Sequence, residues 1–147
     1  ASYEAFVSLR ELHVLATREA VPKTSPGDLD RLRHANADFA AALAASDVDA
    51  ALAADDAFHS VVVEAAGNRT LHATLDRLTP RIRRLERLRF GSLPGRRSID
   101  MHERIIRACA RGDVERACRV VHDNWDTLGR LITTAFDEDD TTTDSST

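Results

Sequence analysis

Two cysteines, seven aromatic residues, six glycines, four prolines and a single lysine are spread over 147 residues, and each shortage removes possibilities. Cys109 and Cys118 can build neither a disulfide framework nor a paired CxxC metal knuckle; both fall among apolar neighbours and read as reduced core residues. No apolar run approaches the ~20 residues a membrane span needs. The opening ASYEAFVSLRELHVLATREA lacks the uninterrupted apolar stretch of a signal peptide, so a cytoplasmic, membrane-free protein is expected. Because that stretch begins inside a helical pattern, the chain is expected to be a fragment or a stand-alone remnant.

What is abundant is alanine, with 43% hydrophobic and 30% charged residues, which suits one domain around one core. The net charge of −4 misleads. Residues 137–147, DEDDTTTDSST, hold five acids and no base, so residues 1–136 carry twenty basic against nineteen acidic groups, a net of +1. A near-neutral body argues against a broad nucleic-acid-binding face, which shows a strong basic excess.

The breakers fall between segments whose apolar residues recur at three- and four-residue spacing, and no strand pattern is visible. About six helices are predicted. The first runs from Ser2 to Ala20 and stops before Val21-Pro22. Ser25 and Pro26 cap and start a second, to about Ala45. Ser46 caps a third, Asp47 to Ala66, ended by Gly67. The fourth, about Arg69 to Phe90, contains Pro80, where a kink is expected. After a loop at 91–95 the fifth runs to Arg111, Gly112 breaks the chain, and the sixth runs from Asp113 to about Phe136. The acidic tail, 137–147, is read as disordered. Short connections make neighbouring helices antiparallel, so the fold class is an all-α antiparallel bundle enclosing a cavity.

On the third helix the apolar stripe Val48, Ala51, Leu52, Phe58, Val62, Ala66 has Asp55 and His59 in its middle, while Asp56 falls on the flank. A buried carboxylate is costly unless paired, and the i, i+4 spacing aims Asp55 and His59 at one point. The fifth helix repeats the anomaly, with His102 centred on Ile99, Ile106 and Cys109. An aspartate and two histidines converging inside a bundle suit a divalent transition metal. The same residues also allow an Asp55–His59 core pair with a separately satisfied His102. On the sixth helix Asn124 and His122 flank the stripe on opposite edges, either being a fourth ligand, with water the remaining choice. Of the fourth helix's arginines, Arg83 and Arg87 are placed in solvent, while Arg81, at the stripe's edge, is expected to clamp a carboxylate. His13, on an apolar face with Leu9 and Ala16, is expected to line the same cavity, or to be a satisfied core histidine. Glu64 and Glu86 are placed away from the metal.

The pattern D-x-x-F-H-x-x-V-x-x-A-A-G-N, Asp55 to Asn68, with H-x-x-I-x-x-A-x-x-x-G-D-x-x-x-A, His102 to Ala117, and the opening Y-E-A-F, resembles the FCD-type ligand-binding domain of GntR-family transcription regulators, the fatty-acid-responsive branch. The resemblance implies a bundle of six or seven helices binding a small organic-acid effector and often Zn, Ni or a similar divalent metal. Asp55, His59 and His102 match three of the family's four ligands, and the fourth, normally histidine, falls on Asn124. It also implies a homodimer whose operator DNA is read by an N-terminal winged helix absent from this chain. Residues 1–136 then form the effector-binding and dimerisation domain. The rival expectation is a metal-dependent helical-bundle enzyme acting on a small carboxylate.

Overall fold

The computed structural model describes residues 2–89 and 95–143, side chains excepted at 2, 89 and 134–143. Six helices follow one another: α1 (Ser2–Ala20), α2 (Pro26–Ala44), α3 (Val48–Ala66), α4 (Arg69–Arg89), α5 (Gly95–Arg111) and α6 (Val114–Thr143). A one-turn 3-10 helix, Val21–Lys23, joins α1 to α2. Among the described residues there is no strand, and no helix is long and apolar enough to cross a membrane.

Local chemistry explains the boundaries. Ser25 accepts from the Asp28 amide while Asp28 accepts from the Ser25 amide, both at 3.0 Å, a reciprocal cap that fixes the start of α2. The cap of α3 is Asp47, whose Oδ1 accepts from the Ala50 amide at 3.1 Å. Ser46, expected in that role, instead closes α2 in a left-handed turn at φ 55°. The carboxylate outcompetes the hydroxyl because it can lie at the positive end of α3. Gly67 and Gly112 end α3 and α5 at φ 69° and 66°, where a side chain would be strained. α4 passes through Pro80 as one helix. α6 continues helical to Thr143, past the end expected at Phe136, and residues 144–147 of the acidic tail lie outside the described residues. No proline or glycine after Gly129 stops the helix. The loop expected at 91–95 lies outside the described residues at 91–94, and Gly95 already belongs to α5.

Every helix contributes to the core: Phe6 and Leu9 from α1, Leu32 from α2, Phe58 from α3, Ile82 from α4, Ile105 from α5 and Ile132 from α6 are each essentially without solvent contact. Both cysteines are buried and free. α1 packs chiefly on α6 and α3, α2 on α3 and α5. α1 and α6 approach closely at Gly129, where a Cβ would stand 2.9 Å from the Phe6 Cβ. Arg10 ties the same seam to Asp126 at 3.0 Å.

Candidate metal centre and effector cavity

α3 and α5 bring Asp55, His59 and His102 together, each offering one donor atom, all within 4.8 Å of one another. Asp55 Oδ1 lies 2.9 Å from His102 Nε2 and 3.3 Å from His59 Nε2. His102 is fully buried, stacked on Phe58 with ring centroids 4.0 Å apart. Its other nitrogen, Nδ1, meets the Asn36 side-chain oxygen at 2.9 Å. Asn36 in turn points its amide nitrogen at the Ile99 carbonyl, 3.4 Å away, which sets the orientation of the group. His102 Nδ1 therefore donates to Asn36.

The second oxygen of Asp55 is held by an arginine the sequence reading placed in solvent. Arg83 Nη2 donates to Asp55 Oδ2 and Nε to Asp56 Oδ1, each at 2.6 Å, while Nη1 donates to both oxygens of Glu86 at 2.9 and 3.0 Å. Arg81, the expected clamp, is exposed. Helical register accounts for the exchange: Arg81 and Arg83 stand about 200° apart around α4. Arg83 and Glu86, one turn apart, share the flank that covers Asp55 and Asp56. Asp56, expected in solvent, is half-exposed and shares this network. Glu64 is exposed and reaches Arg31, as expected of a residue away from the centre; Glu86 is not.

One guanidinium thus serves three carboxylates, and their proton affinities diverge. Burial works to raise the Asp55 carboxyl, but the Arg83 charge, with the bonds to His102 and His59, overrides it and holds Asp55 well below the usual range. Glu86 goes the other way: burial lifts it to about 7, against the attraction of Arg83 and with the repulsion of Asp55. Arg83 itself is pushed up by its carboxylates in spite of burial. Burial lowers His102 although Asp55 opposes it, and lowers His13 further, helped by the charges of His59 and Arg83.

Two cavities flank the centre. The larger, about 530 Å³, opens toward α4 and is bounded by His13, His59, Arg83, Arg84, Arg87 and Trp125 among others. The smaller, about 60 Å³, is bounded by Asp55, His59, Glu86, Asn124, Trp125 and apolar groups from α3, α5 and α6. Asn124 therefore borders the centre, whereas His122 is turned to Asp123 at 3.2 Å with its side chain 43% exposed. His13 is buried, stacked on Trp125 at 4.6 Å and 5.2 Å from His59. Trp125 of α6 borders both cavities, and its buried Nε1–H has no protein partner.

The chain is thus an all-helical bundle with a donor cluster beside an open cavity. The family model for the FCD domain matches residues 4–127, and the chain belongs to that family, the effector-binding C-terminal domain of GntR-family regulators. A search of curated proteins returns no match.

Proposed function

We propose that the chain is the sensing domain of a transcription regulator that holds a divalent transition metal, zinc or nickel, at Asp55, His59 and His102, with Asn124 beside them, and reads a small organic acid from the adjoining cavity. The observation that carries the metal is His102. With Nδ1 donating to Asn36, a neutral ring turns its Nε2 lone pair toward a carboxylate oxygen 2.9 Å away. Two acceptors face each other, and burial disfavours the imidazolium that would relieve them. A cation between them satisfies both. The donor set, one carboxylate oxygen and two imidazoles, that of His102 oriented by the Asn36 side-chain oxygen, is borderline-soft and suits zinc or nickel. Charge agrees: Asp55, Asp56 and ionised Glu86 exceed Arg83 by two. When bound, such an ion supplies Lewis acidity and open positions for an oxygen ligand.

The effector reading rests on the larger cavity. Trp125 offers a buried N–H without a protein partner, which is costly unless an acceptor arrives, and the exposed Arg84 on the cavity's border favours an anion, while Arg87 is engaged by Asp49 at 3.1 Å. Binding there touches α1, α3, α4 and α6 together, and it shifts a dimer only if one arrangement binds the acid better. Operator DNA is then read by a separate winged-helix domain, in the cytoplasm.

One observation favours the enzyme reading: Glu86, a buried carboxyl near neutrality beside Asp55, is the kind of group that moves protons. We assign it to charge balance, because Arg83 engages both of its oxygens. Elemental analysis of untagged protein should find one metal per chain, lost in Asp55→Ala, and a panel of small carboxylates should raise the melting temperature. Unchanged metal content in Asp55→Ala, or no response to any carboxylate by the loaded protein, would overturn the reading. Chelator-sensitive turnover of a carboxylate would replace it with the enzyme.

A further inference from the structure

Away from the centre, the turn at Gly112 folds the end of α5 against the start of α6. Arg104, Arg107 and Arg111 follow one face of α5 at i, i+3, i+7, and Arg116 and Arg119 follow one face of α6. All five are exposed and border one cleft of about 610 Å³, in which Asp123 is the only acid among the described residues. Among the described residues, one ion pair engages them, Arg116 to Asp113 at 3.8 Å. Five guanidinium groups gathered around one cleft repel each other, and the start of α6 adds its own partial positive charge. The metal centre makes no use of them.

The chain also carries the complement: Asp137, Glu138, Asp139, Asp140 and Asp144, with no base among residues 137–147. We propose that the arginine cleft takes the acidic segment 137–144 of a second copy of this chain. Its own segment cannot serve. α6 is helical from Val114 to Thr143, so Asp137 lies about 27 Å along the axis from Arg119 at 1.5 Å per residue. The four residues after Thr143 span at most ~14 Å when fully extended. Two copies with their α6 helices reversed exchange segments reciprocally, which closes the assembly as a dimer with two identical contacts. Guanidinium groups suit carboxylates because their paired donors match both oxygens.

The test uses the full chain. Its tail is neutralised by Asp137→Asn, Glu138→Gln, Asp139→Asn, Asp140→Asn and Asp144→Asn, and a fluorescein-labelled peptide of residues 137–147 is titrated against it by anisotropy. Saturable binding in low salt is expected, weakened at least tenfold by Arg107→Glu with Arg119→Glu and at least tenfold by 0.2 M NaCl. In sedimentation velocity, self-association of the unaltered chain should fall with either set of substitutions. It should return when Asp137→Lys, Asp139→Lys and Asp140→Lys are added to the cleft variant. The cleft positions are exposed, so circular dichroism should show an unchanged helix content. Equal peptide binding by the cleft variant, no saturable binding, or no rescue by the reversed tail would overturn the proposal. A 12-base-pair duplex binding more than tenfold tighter than the peptide would give the cleft to a nucleic acid.

Discussion

Replacing Arg83 by leucine removes the only cation shared by three carboxylates while leaving a side chain of comparable bulk over α3. The side chains of Asp55 and Glu86 are 15% and 7% exposed, so neither can recover its hydration without opening the packing of α4 on α3. Breaking a buried pair by deleting one partner costs about 3–5 kcal/mol. A domain typically holds about 5–15 kcal/mol in all. For a chain of this length the melting temperature should fall by about 10 °C, and the urea midpoint by about 2 M. The measurement is urea denaturation in chelator, so that metal does not substitute for the guanidinium, at pH 8 and pH 5. The penalty should shrink at pH 5, because both carboxyls, freed from Arg83, take protons more readily. Adding Glu86→Leu should recover part of the loss at pH 8. Arg81→Leu, two residues away and exposed, should stay within about 0.5 kcal/mol. A cost below about 1 kcal/mol for Arg83→Leu, or an equal cost at Arg81, would refute the assignment of Arg83 to the centre.

Glu86 makes stability pH-dependent in a stated direction. Its folded carboxyl, lifted to about 7, holds a proton longer than the unfolded chain does. Stability is therefore full below the ordinary glutamate range and lost as pH rises through about 7, by an amount on the order of 3 kcal/mol. Glu86→Gln should flatten denaturation curves between pH 4.5 and 7; parallel curves for the two proteins would count against it. Asn36→Leu removes the acceptor that orients His102 and should weaken metal binding by about 10–100-fold in a chelator competition, whereas an unchanged affinity would deny Asn36 that role. Gly129→Ala should destabilise by about 1–3 kcal/mol in thermal melts, although alanine is the better helix former. A gain in stability would mean that α1 and α6 are not in contact at Phe6.

The helices were legible because their ends are chemical: Ser25-Pro26, Gly67 and Gly112 stop or start the chain for reasons a sequence displays. Ser46 misled because two capping residues stand side by side and only the backbone decides between them. Asp55, His59 and His102 were visible as polar groups on apolar stripes. Asn36 obeys the same rule, lying between Leu32 and Phe39 on α2, but its role shows only in the fold, where it meets His102. Arg83 and Glu86 were hidden for a different reason. A helical wheel built on Leu71, Leu75, Leu78, Ile82 and Leu85 assumes one partner surface, whereas α4 meets α1, α3 and α6. Its buried arc is wider than one stripe, and the exposed Leu88 shows the stripe ending early. The usable signal was the spacing of Arg83 and Glu86 opposite an adjacent pair of aspartates. Trp125 had no such signal, since an unsatisfied indole N–H exists only once the fold is closed.

The close approach at Gly129 bears on how motion leaves the cavity. Trp125 in the cavity wall and Gly129 under Phe6 are one turn apart on α6, and they border a shared crevice with Tyr3 and Val7. Side-chain contacts between helices usually have slack, because rotamers can change before backbones move. A hydrogen atom against a phenylalanine ring has no rotamer to spend. A displacement of α6 near Trp125 would meet α1 directly at Phe6, and the Arg10–Asp126 pair at 3.0 Å crosses the same seam. The cavity wall and the seam between the first and last helices are thus neighbouring turns of one helix.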